Sequence, residues 1–247
     1  MLFRPLLGLT TALTLSLALA GAPGAESLRD RPKAVVELFT SQGCASCPPA
    51  DALLTGLAAR EDVVALAYHV DYWDYIGWTD TFGNKGFSDR QRGYAKSWGS
   101  TRIFTPQMVV NGTEGVVGSR RDAVQDAVAS AMLPLPVRLQ RHGDMLKVRV
   151  PPDATLSDAT IWLVRFVNRA DIAIEGGENA GKSMVYTQVV TDRQILGMWE
   201  AGTGAEIKLP LAGLQGVEPG NSGLAVLVQN ERNGLPGPIL GAAVYQF

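Results

Sequence analysis

Residues 33–133 alternate short hydrophobic runs with stretches of helical periodicity. The run at 63–70 is hydrophobic on both faces, which is typical of strands in a parallel sheet covered by helices. The Asn111-Gly112 pair between two later runs is a strong hairpin signal. Ser119 is placed to cap the last helix. The predicted strands are 34–39, 63–70, 107–111 and 115–117, and the predicted helices are 50–59, 87–98 and 120–132.

Beyond Pro136 the hydrophobic pattern changes to a period of two. Leu146, Val148 and Val150, for example, alternate with basic residues, as in a strand with one buried face. Gly, Pro, Asn and Asp separate such runs at spacings suited to an antiparallel β-sandwich. We therefore predict a domain boundary at about residue 134. Further strands are predicted at 160–167, 184–191, 206–209, 224–229 and 239–245.

The first residues carry the pattern of a secretory signal peptide. Arg4 precedes a hydrophobic stretch at 6–20, which is shorter than the roughly 20 residues that a membrane span needs. An A-x-A cleavage motif ends at Ala20. We expect removal of the signal peptide at 1–20 and a periplasmic or secreted mature protein, in a compartment where disulfides persist.

Composition narrows the classes of function. The 22 basic and 24 acidic side chains give a net charge of −2 without a basic run, so no nucleic-acid partner is expected. A charged fraction of 19% is too high for a polytopic membrane protein, and no membrane partner is expected after signal cleavage. Two histidines and two cysteines leave few ligands for a dedicated zinc site, and no cofactor is predicted. Composition alone leaves oxygen-rich metal sites open.

The two cysteines, Cys44 and Cys47, stand between the run at 34–39 and the helical pattern at 50–59. A thiolate at a helix N-terminus is stabilised by unpaired N–H groups and by the helix dipole, which lower its pKa. We expect an exposed Cys44 that attacks and a more buried Cys47 that resolves the mixed disulfide. Half of a zinc site is the alternative, but the chain has no second cysteine pair.

Thr105-Pro106 directly precedes the predicted strand at 107–111. A proline that heads a strand beside a redox pair favours a cis peptide bond. That bond would turn the backbone groups of Thr105 toward the thiols, where they would pair with an extended substrate. The alternative is an ordinary trans proline at a strand start, where its missing N–H is tolerated.

The order of these features over residues 33–132 resembles the thioredoxin-like superfamily: a strand, CxxC at a helix start, Thr-Pro before a strand, a hairpin and a terminal helix. The longer stretches VVELFTSQGCASCPPAD, HVDYWDYIGW, FSDRQRGYA and TPQMVVNG are similar to a narrower group. That group is the bacterial secreted thioredoxin-like proteins of unknown function with a β-rich C-terminal region. The resemblance implies that Cys44 is the nucleophile, that Cys47 resolves, and that the bond to Pro106 is cis.

The chain also departs from the superfamily. It lacks a Trp before the first cysteine and a Gly-Pro between the two cysteines, and it carries an aromatic insertion at 71–104. These differences leave substrate and redox direction open. The aromatic residues of the insertion either line a groove for a polypeptide or hydrophobic ligand or simply pack the inserted helix onto the domain.

Glu37 lies seven residues before Cys44, on the strand that leads to the site. Related oxidoreductases keep a buried acid near this place, one residue closer, that takes the proton of the resolving thiol. By that resemblance Glu37 is a third catalytic residue, buried beneath the pair near Cys47, with a raised pKa. The alternative is an exposed glutamate on an edge strand.

Two further features have a structural interpretation beside a functional one. His69 lies at the carboxyl end of the run at 63–70, where it either influences Cys44 or is a structural histidine. Residues 176–183 match the P-loop pattern G-x-x-x-x-G-K-[ST]. A P-loop needs a helix after it, whereas a β-branched stretch follows here, so we predict a glycine-rich hairpin loop.

The sequence thus predicts an α/β thioredoxin-like domain at 33–133 followed by an antiparallel β-sandwich domain at 134–247. We expect thiol-disulfide exchange on exported protein or small-thiol substrates, with a redox partner. One alternative is a binding module with a structural or vestigial disulfide. Another is delivery of a soft metal, although no methionine cluster lies near the cysteines. The predicted catalytic residues are Cys44, Cys47 and Glu37, and the predicted substrate-binding residues are Thr105 and Pro106.

Overall fold

The computed structural model of the protein describes residues 27–215 and 220–247. The signal peptide predicted at 1–20 lies outside the described residues. No helix in the described part of the chain is long and apolar enough to cross a membrane. In chain order its helices and strands are β1 (Ser27–Arg29), β2 (Ala34–Thr40), α1 (Pro48–Ala58), β3 (Val63–His69), α2 (Lys85–Ser97), β4 (Gln107–Val110), β5 (Glu114–Val117), α3 (Arg121–Ser130), β6 (Arg138–His142), β7 (Met145–Val150), β8 (Ala159–Ala173), β9 (Ser183–Trp199), β10 (Ala205–Pro210), β11 (Ser222–Arg232) and β12 (Leu235–Gln246).

Of the described strands, nine form one large mixed sheet in the order β1-β12-β11-β8-β9-β3-β2-β4-β5. β2 and β3 are parallel neighbours, in register up to Thr40 opposite His69. β3 also pairs in parallel with β9, through Ala67 and Val189, and this contact joins the N-terminal strands to the C-terminal ones. The strands β10, β7 and β6 form a second, three-stranded sheet.

Helices cover both faces of the sheet at β2 and β3, which are buried at every position as their hydrophobic runs predict. α1 packs its leucines on the face that carries Val36 and Leu38. α2 packs Phe87 and Tyr94 on the opposite face, against Phe39. Because side chains alternate along a strand, each residue of β2 belongs to one of these two helix-covered faces.

The hydrophobic cluster beneath α2 contains residues from both sides of position 134, among them Phe39, Phe166 and Leu227. The three-stranded sheet packs on the C-terminal part of the large sheet, with Val148 and Val226 in their shared cluster. The thioredoxin-like domain and the separate β-sandwich stay predictions, as does the boundary between them. The structure adds that one sheet and one hydrophobic cluster cross that boundary.

The hairpin predicted at Asn111-Gly112 is confirmed. β4 and β5 pair antiparallel, and the two turn residues have φ of 48° and 68°. The side-chain oxygen of Asn111 also accepts the backbone N–H of Val35 at 2.7 Å, which ties the turn to β2. The helix cap predicted at Ser119 is wrong, because α3 begins two residues later and Arg120 occupies the N-cap position.

The β8–β9 hairpin is longer than its hydrophobic pattern predicts. The pattern ends at Val167, but β8 continues to Ala173 and stays paired with β9 up to Ser183. Residues 168–173 alternate between half-buried and exposed positions and have no fully buried face, so their sequence carries no strand signal. The extension carries the end of the hairpin to the loop that precedes α1.

Candidate functional site

Cys44 and Cys47 form a disulfide at the start of α1. Cys47 directly precedes the helix, and its carbonyl accepts the N–H groups of Ala50 at 2.8 Å and Asp51 at 3.1 Å. Both cysteines are 0% exposed. The prediction of an exposed Cys44 is therefore wrong for this disulfide form, because two other segments of the chain cover the pair.

The first covering segment contains Thr105 and Pro106. Their peptide bond is cis, which confirms that prediction. The Thr105 hydroxyl donates to Cys44 Sγ at 3.3 Å and accepts the indole N–H of Trp73 at 2.7 Å. Ser46 donates to the Thr105 carbonyl at 3.5 Å. The two predicted substrate-binding residues thus lie beside the disulfide, as the sequence suggests.

The second covering segment is the hairpin tip, residues 174–182, between β8 and β9. The amide of Asn179 donates to the carbonyls of Gln42 at 2.8 Å and Cys44 at 3.0 Å. Glu178 accepts the backbone N–H of Ala45 at 3.2 Å. The residues that match the P-loop pattern therefore form a hairpin loop, as predicted, and this loop covers the cysteine pair.

A glycine in the hairpin tip allows this close approach. A Cβ on Gly176 would stand 2.4 Å from the carbonyl oxygen of Gly77, in the aromatic insertion. Trp78 of the insertion donates its indole N–H to the Gln42 side chain at 2.8 Å. The insertion at 71–104 and the hairpin tip therefore pack together around the loop that leads to the cysteines.

The carboxylate of Glu37 is buried but does not lie beneath the redox pair. It accepts hydrogen bonds from Arg90 Nε at 2.8 Å and Arg90 Nη2 at 2.9 Å, and a further one from the hydroxyl of Tyr94. Arg90 Nη2 also donates to Gln229 at 3.0 Å. Glu37 shares the α2 face of the sheet with Phe39, whereas α1 covers the other face. The structure thus shows an ion pair where the resemblance implies a proton acceptor.

A different carboxyl lies on the α1 face. Asp51 accepts the Thr40 hydroxyl at 2.8 Å. His69 stands opposite Thr40 in the register of β2 and β3, so both side chains leave the sheet on this same face. His69 Nδ1 lies 2.8 Å from Asp80 Oδ2, which also accepts the N–H of Gln42 at 2.7 Å. We call these four buried side chains, Thr40, Asp51, His69 and Asp80, the Asp51 cluster.

The two acids of the Asp51 cluster differ in pKa. Burial raises the pKa of Asp51 to about 7, although the charge of His69 and the hydrogen bond from Thr40 oppose the shift. Burial also acts to raise the pKa of Asp80, but His69 and the backbone amides that Asp80 accepts outweigh it, and its pKa is lowered. Asp51 is therefore a carboxyl that takes up or releases a proton near neutral pH, one helical turn after Cys47.

Two polar atoms of the Asp51 cluster remain available for proton transfer. Asp51 Oδ2 and His69 Nε2 are both buried, and neither has a hydrogen-bond partner within residues 27–215 and 220–247. The ring of His69 also contacts Tyr186 of β9, with ring centroids 4.8 Å apart. His69 is thus part of a buried polar group that is tied to the loop before α1 through Asp80, which accepts the N–H of Gln42.

The aromatic residues of the insertion have several roles. Phe87 and Tyr94 belong to the hydrophobic core, as the packing interpretation predicts. Trp73 and Trp78 instead support the site through the hydrogen bonds given above, while Tyr75 is 83% exposed. Among the residues that the structure describes, no group of three His, Cys, Asp or Glu side chains could hold a metal ion.

The sequence reasoning missed Asp51 and Asn179. A signal existed for Asp51, since it lies four residues after Cys47 and so one helical turn away in the predicted helix. No comparable signal marks Asn179, which reaches Cys44 across 135 residues of chain.

Comparison with known proteins gives a family. The model of the family described as "Protein of unknown function (DUF1223)" matches residues 35–229, and the chain belongs to that family. A solved structure, the X-ray crystal structure of protein AGR_C_4864 from Agrobacterium tumefaciens, is similar to this chain with 36% sequence identity and a TM-score of 0.77. The match covers 87% of this chain and 94% of that one. No curated protein matches.

Proposed function

We propose that this protein is an exported thiol-disulfide oxidoreductase of the thioredoxin-like superfamily. The observation that carries the proposal is the position of the Cys44–Cys47 disulfide, at the N-terminus of α1 and against the Thr105 hydroxyl. The order β2–α1–β3–α2–β4–β5–α3, with β2 and β3 parallel and β4 and β5 antiparallel, supports the superfamily assignment.

In the reduced form, the Cys44 thiolate attacks a substrate disulfide. A bond forms between Cys44 Sγ and one substrate sulfur, and the other substrate sulfur leaves as a thiolate. Cys47 then attacks Cys44 Sγ, which restores the intramolecular disulfide and releases the first substrate sulfur. Two electrons pass from the cysteine pair to the substrate, and the same steps in reverse oxidise a substrate dithiol. A thiol or disulfide partner outside the cytoplasm returns the pair to its starting state.

The attack by Cys47 needs an acceptor for its proton. Asp51 lies one helical turn after Cys47 on the buried side of α1, and its pKa of about 7 suits exchange with a thiol. Glu37, which the resemblance implies for this step, is held by Arg90 on the other face of the sheet. We therefore assign proton transfer to Asp51 and a stabilising ion pair to Glu37.

Thr105 and Pro106 are assigned to the substrate. They directly precede β4, next to Cys44, and the Thr105 carbonyl accepts a long hydrogen bond, at 3.5 Å from Ser46. An extended substrate segment that replaces this bond would pair with the Thr105 backbone while its disulfide lies against Cys44. Exported proteins or small thiols are the substrate classes consistent with this geometry.

One observation favours a second candidate function. Both cysteines are buried, as is typical of a structural disulfide that resists reduction. In that case the protein is a non-enzymatic binding module and the pair only holds the loop before α1 in place.

The reduction potential separates the two functions. The protein is equilibrated with glutathione or dithiothreitol buffers of defined potential, and reduced cysteines are counted by alkylation and mass spectrometry. A potential between about −120 and −270 mV supports exchange, whereas one below about −300 mV overturns it in favour of a structural disulfide. As a second test, Cys47→Ser is expected to accumulate mixed disulfides with exported proteins, because Cys44 attacks and nothing resolves. Cys44→Ser is the matched control and is expected to trap far fewer.

A further inference from the structure

The aromatic insertion reaches the cysteine pair through Trp73. The ring of Trp73 is partly buried and packs against the hydrophobic cluster beneath α2. A Cβ on Gly43, the residue before Cys44, would lie 3.3 Å from Trp73 Cβ, so glycine at this position leaves room for the tryptophan. The indole N–H of Trp73 donates to the Thr105 hydroxyl at 2.7 Å. Packing therefore fixes Trp73, and Trp73 in turn holds the side chain of Thr105.

This contact orients the Thr105 hydroxyl. An indole N–H can only donate, so the oxygen of Thr105 turns a lone pair toward Trp73. The hydroxyl proton remains for another acceptor, and it points to Cys44 Sγ, 3.3 Å from the oxygen. Hydrogen bonds in such a chain polarise one another, which strengthens the one to the sulfur. Ser46 Oγ is a longer 3.5 Å from the same sulfur and also donates to the Thr105 carbonyl, so Thr105 is the better placed donor.

The backbone on both sides of Thr105 is held as well. Gln91 of α2 donates to the Phe104 carbonyl at 2.7 Å. The Pro106 carbonyl accepts the N–H of Gly118 at 2.9 Å. A donor that is fixed in this way needs no rearrangement when charge develops on the sulfur.

The hydrogen bond to Cys44 differs in strength between the two redox states. A disulfide sulfur is a weak acceptor, whereas a thiolate carries a charge and accepts a stronger, charge-assisted hydrogen bond. An interaction that is stronger in the reduced form shifts the equilibrium toward that form and makes the pair a stronger oxidant.

We propose that Trp73 is a positioning residue for thiol-disulfide exchange: it aims the Thr105 hydroxyl at Cys44, where the hydroxyl stabilises the thiolate and favours oxidation of substrate dithiols. The proposal rests on the proposed exchange function and adds a direction and a substrate class to it.

The favoured reaction starts from the disulfide. A substrate thiolate attacks Cys44 Sγ, and Cys47 leaves with both electrons of the broken bond and takes a proton from Asp51. A second substrate thiolate then attacks the first substrate sulfur, and Cys44 leaves as the thiolate that accepts from Thr105. Two electrons thus pass from the substrate dithiol to the cysteine pair, and the substrate gains a disulfide.

Other ionisable groups surround the loop that carries the cysteines. Those tied by hydrogen bonds to the loop, or to the amide of Asn179 above it, are Asp51, Asp80, Glu178 and Lys182. The variants below leave all four in place, so their charges contribute equally to each measurement.

The test titrates the Cys44 thiolate by its ultraviolet absorbance, in the full mature chain with Cys47→Ser. Thr105→Val keeps the side-chain shape without the hydroxyl, and should raise the pH at which half of Cys44 is ionised by about one unit. Trp73→Phe should raise it by about half a unit, and by nothing further when Thr105→Val is already present. In chains with both cysteines, the two changes should shift the equilibrium with glutathione toward the disulfide by about ten-fold and about three-fold.

Two controls separate the hydroxyl from a loosened structure. Thr105→Ser keeps a hydroxyl and should leave the titration of Cys44 unchanged. Trp78→Phe is the matched control, because Trp78 lies in the same insertion and donates its indole N–H to Gln42 and not to Thr105. It is expected to leave the titration unchanged. If Trp73→Phe does not fold, benzothienylalanine at position 73 replaces it, since this tryptophan analogue keeps the ring shape and has sulfur in place of the N–H.

Three results would overturn the proposal: an unchanged titration of Cys44 in Trp73→Phe, an equal shift in Trp78→Phe, or a further shift from Trp73→Phe when Thr105→Val is present. A different result would overturn the exchange function, namely a wild-type disulfide that glutathione buffers do not reduce. The titration in Cys47→Ser does not involve that disulfide, so the two failures are distinguishable.

Discussion

The side-chain amide of Asn179 donates a 3.0 Å hydrogen bond to the backbone carbonyl of Cys44. Asn179 is 1% exposed, and its second bond, to Gln42, holds the residue on the other side of Gly43. The C-terminal half of the chain thus closes over the cysteines of the N-terminal half. A thiol can reach the disulfide only after the hairpin tip or the segment with Thr105 has moved away.

The first prediction concerns this cover. Asn179→Ala removes both hydrogen bonds and should speed reduction of the disulfide by dithiothreitol about thirty-fold, since two such bonds contribute roughly 1 kcal/mol each. The rate is followed by quenched alkylation. Asn230→Ala is the control, because Asn230 also bonds two backbone carbonyls, Ser157 and Asp158, but away from the cysteines. Equal rates in wild type and Asn179→Ala would contradict a cover that limits access.

The second prediction concerns stability and pH. The carboxyl of Asp51 has an ordinary pKa of 3.8 and a folded pKa of about 7. Between these values the folded protein keeps a proton that the unfolded chain has released. The contribution of Asp51 to stability is therefore complete below about pH 3.8 and is lost as the pH rises to about 7, by up to about 4 kcal/mol.

Asp51→Asn is neutral at every pH and keeps an acceptor for Thr40. It should therefore unfold at higher urea concentration than the wild type at pH 8 and show a flatter dependence of unfolding free energy on pH between 4 and 7. Asp126→Asn, at an exposed position of α3, is expected to leave that dependence unchanged. If the unfolding free energy of Asp51→Asn depended on pH as steeply as that of the wild type, the Asp51 carboxyl would not be the cause of the dependence. It would then be ionised in the folded protein.

The third prediction separates Asp51 from Glu37 in the resolution step. A mixed disulfide is prepared on Cys44, and release of the bound thiol by Cys47 is timed across pH. Asp51→Asn should slow release on the order of 10²-fold near neutral pH, because the proton of Cys47 loses its acceptor. Glu37→Gln should resolve at the wild-type rate. The opposite result would return the proton-transfer role to Glu37.

The fourth prediction concerns the buried ion pair. Arg90→Ala leaves the Glu37 carboxylate buried without its guanidinium, and should lower the free energy of unfolding by about 3–5 kcal/mol in urea titrations. A double variant with Arg90→Leu and Glu37→Leu should be more stable than Arg90→Ala, because it leaves no carboxylate buried without its guanidinium. Arg92→Ala removes an exposed pair with Asp89 and should change stability by less than about 1 kcal/mol. If Arg92→Ala lowered the free energy of unfolding as much as Arg90→Ala, burial of the ion pair would not explain the loss in Arg90→Ala.

Local features of the site could be predicted from the sequence, and long-range ones could not. The CxxC helix start and the Asn111-Gly112 turn each depend on a few neighbouring residues, and the cis bond before Pro106 is predicted from its combination with the cysteine pair. The face on which Glu37 lies depends on which helix covers which side of β2. Both faces of β2 are hydrophobic, so a period-two pattern carries no information about that choice.

The Asp51 cluster shows a second limit. Thr40 and His69 come together only through the parallel register of β2 and β3, which short sequence motifs do not determine. Asn179 meets Cys44 because β9 lies beside β3, with Val189 paired to Ala67, and the β8–β9 hairpin extends from there to its tip. The residues that complete the site are thus fixed by strand order and not by local sequence.

The continuity of the large sheet limits how this chain can be cut and recombined. A gene fragment that ends near residue 134 would encode both cysteines, but it would lack Asn179, Gln229 and the strand that pairs with β3. The fragment would keep the two cysteines, lose the segment that covers them, and present an open strand edge that invites pairing with other chains. Fusion or domain shuffling therefore has to carry both halves together.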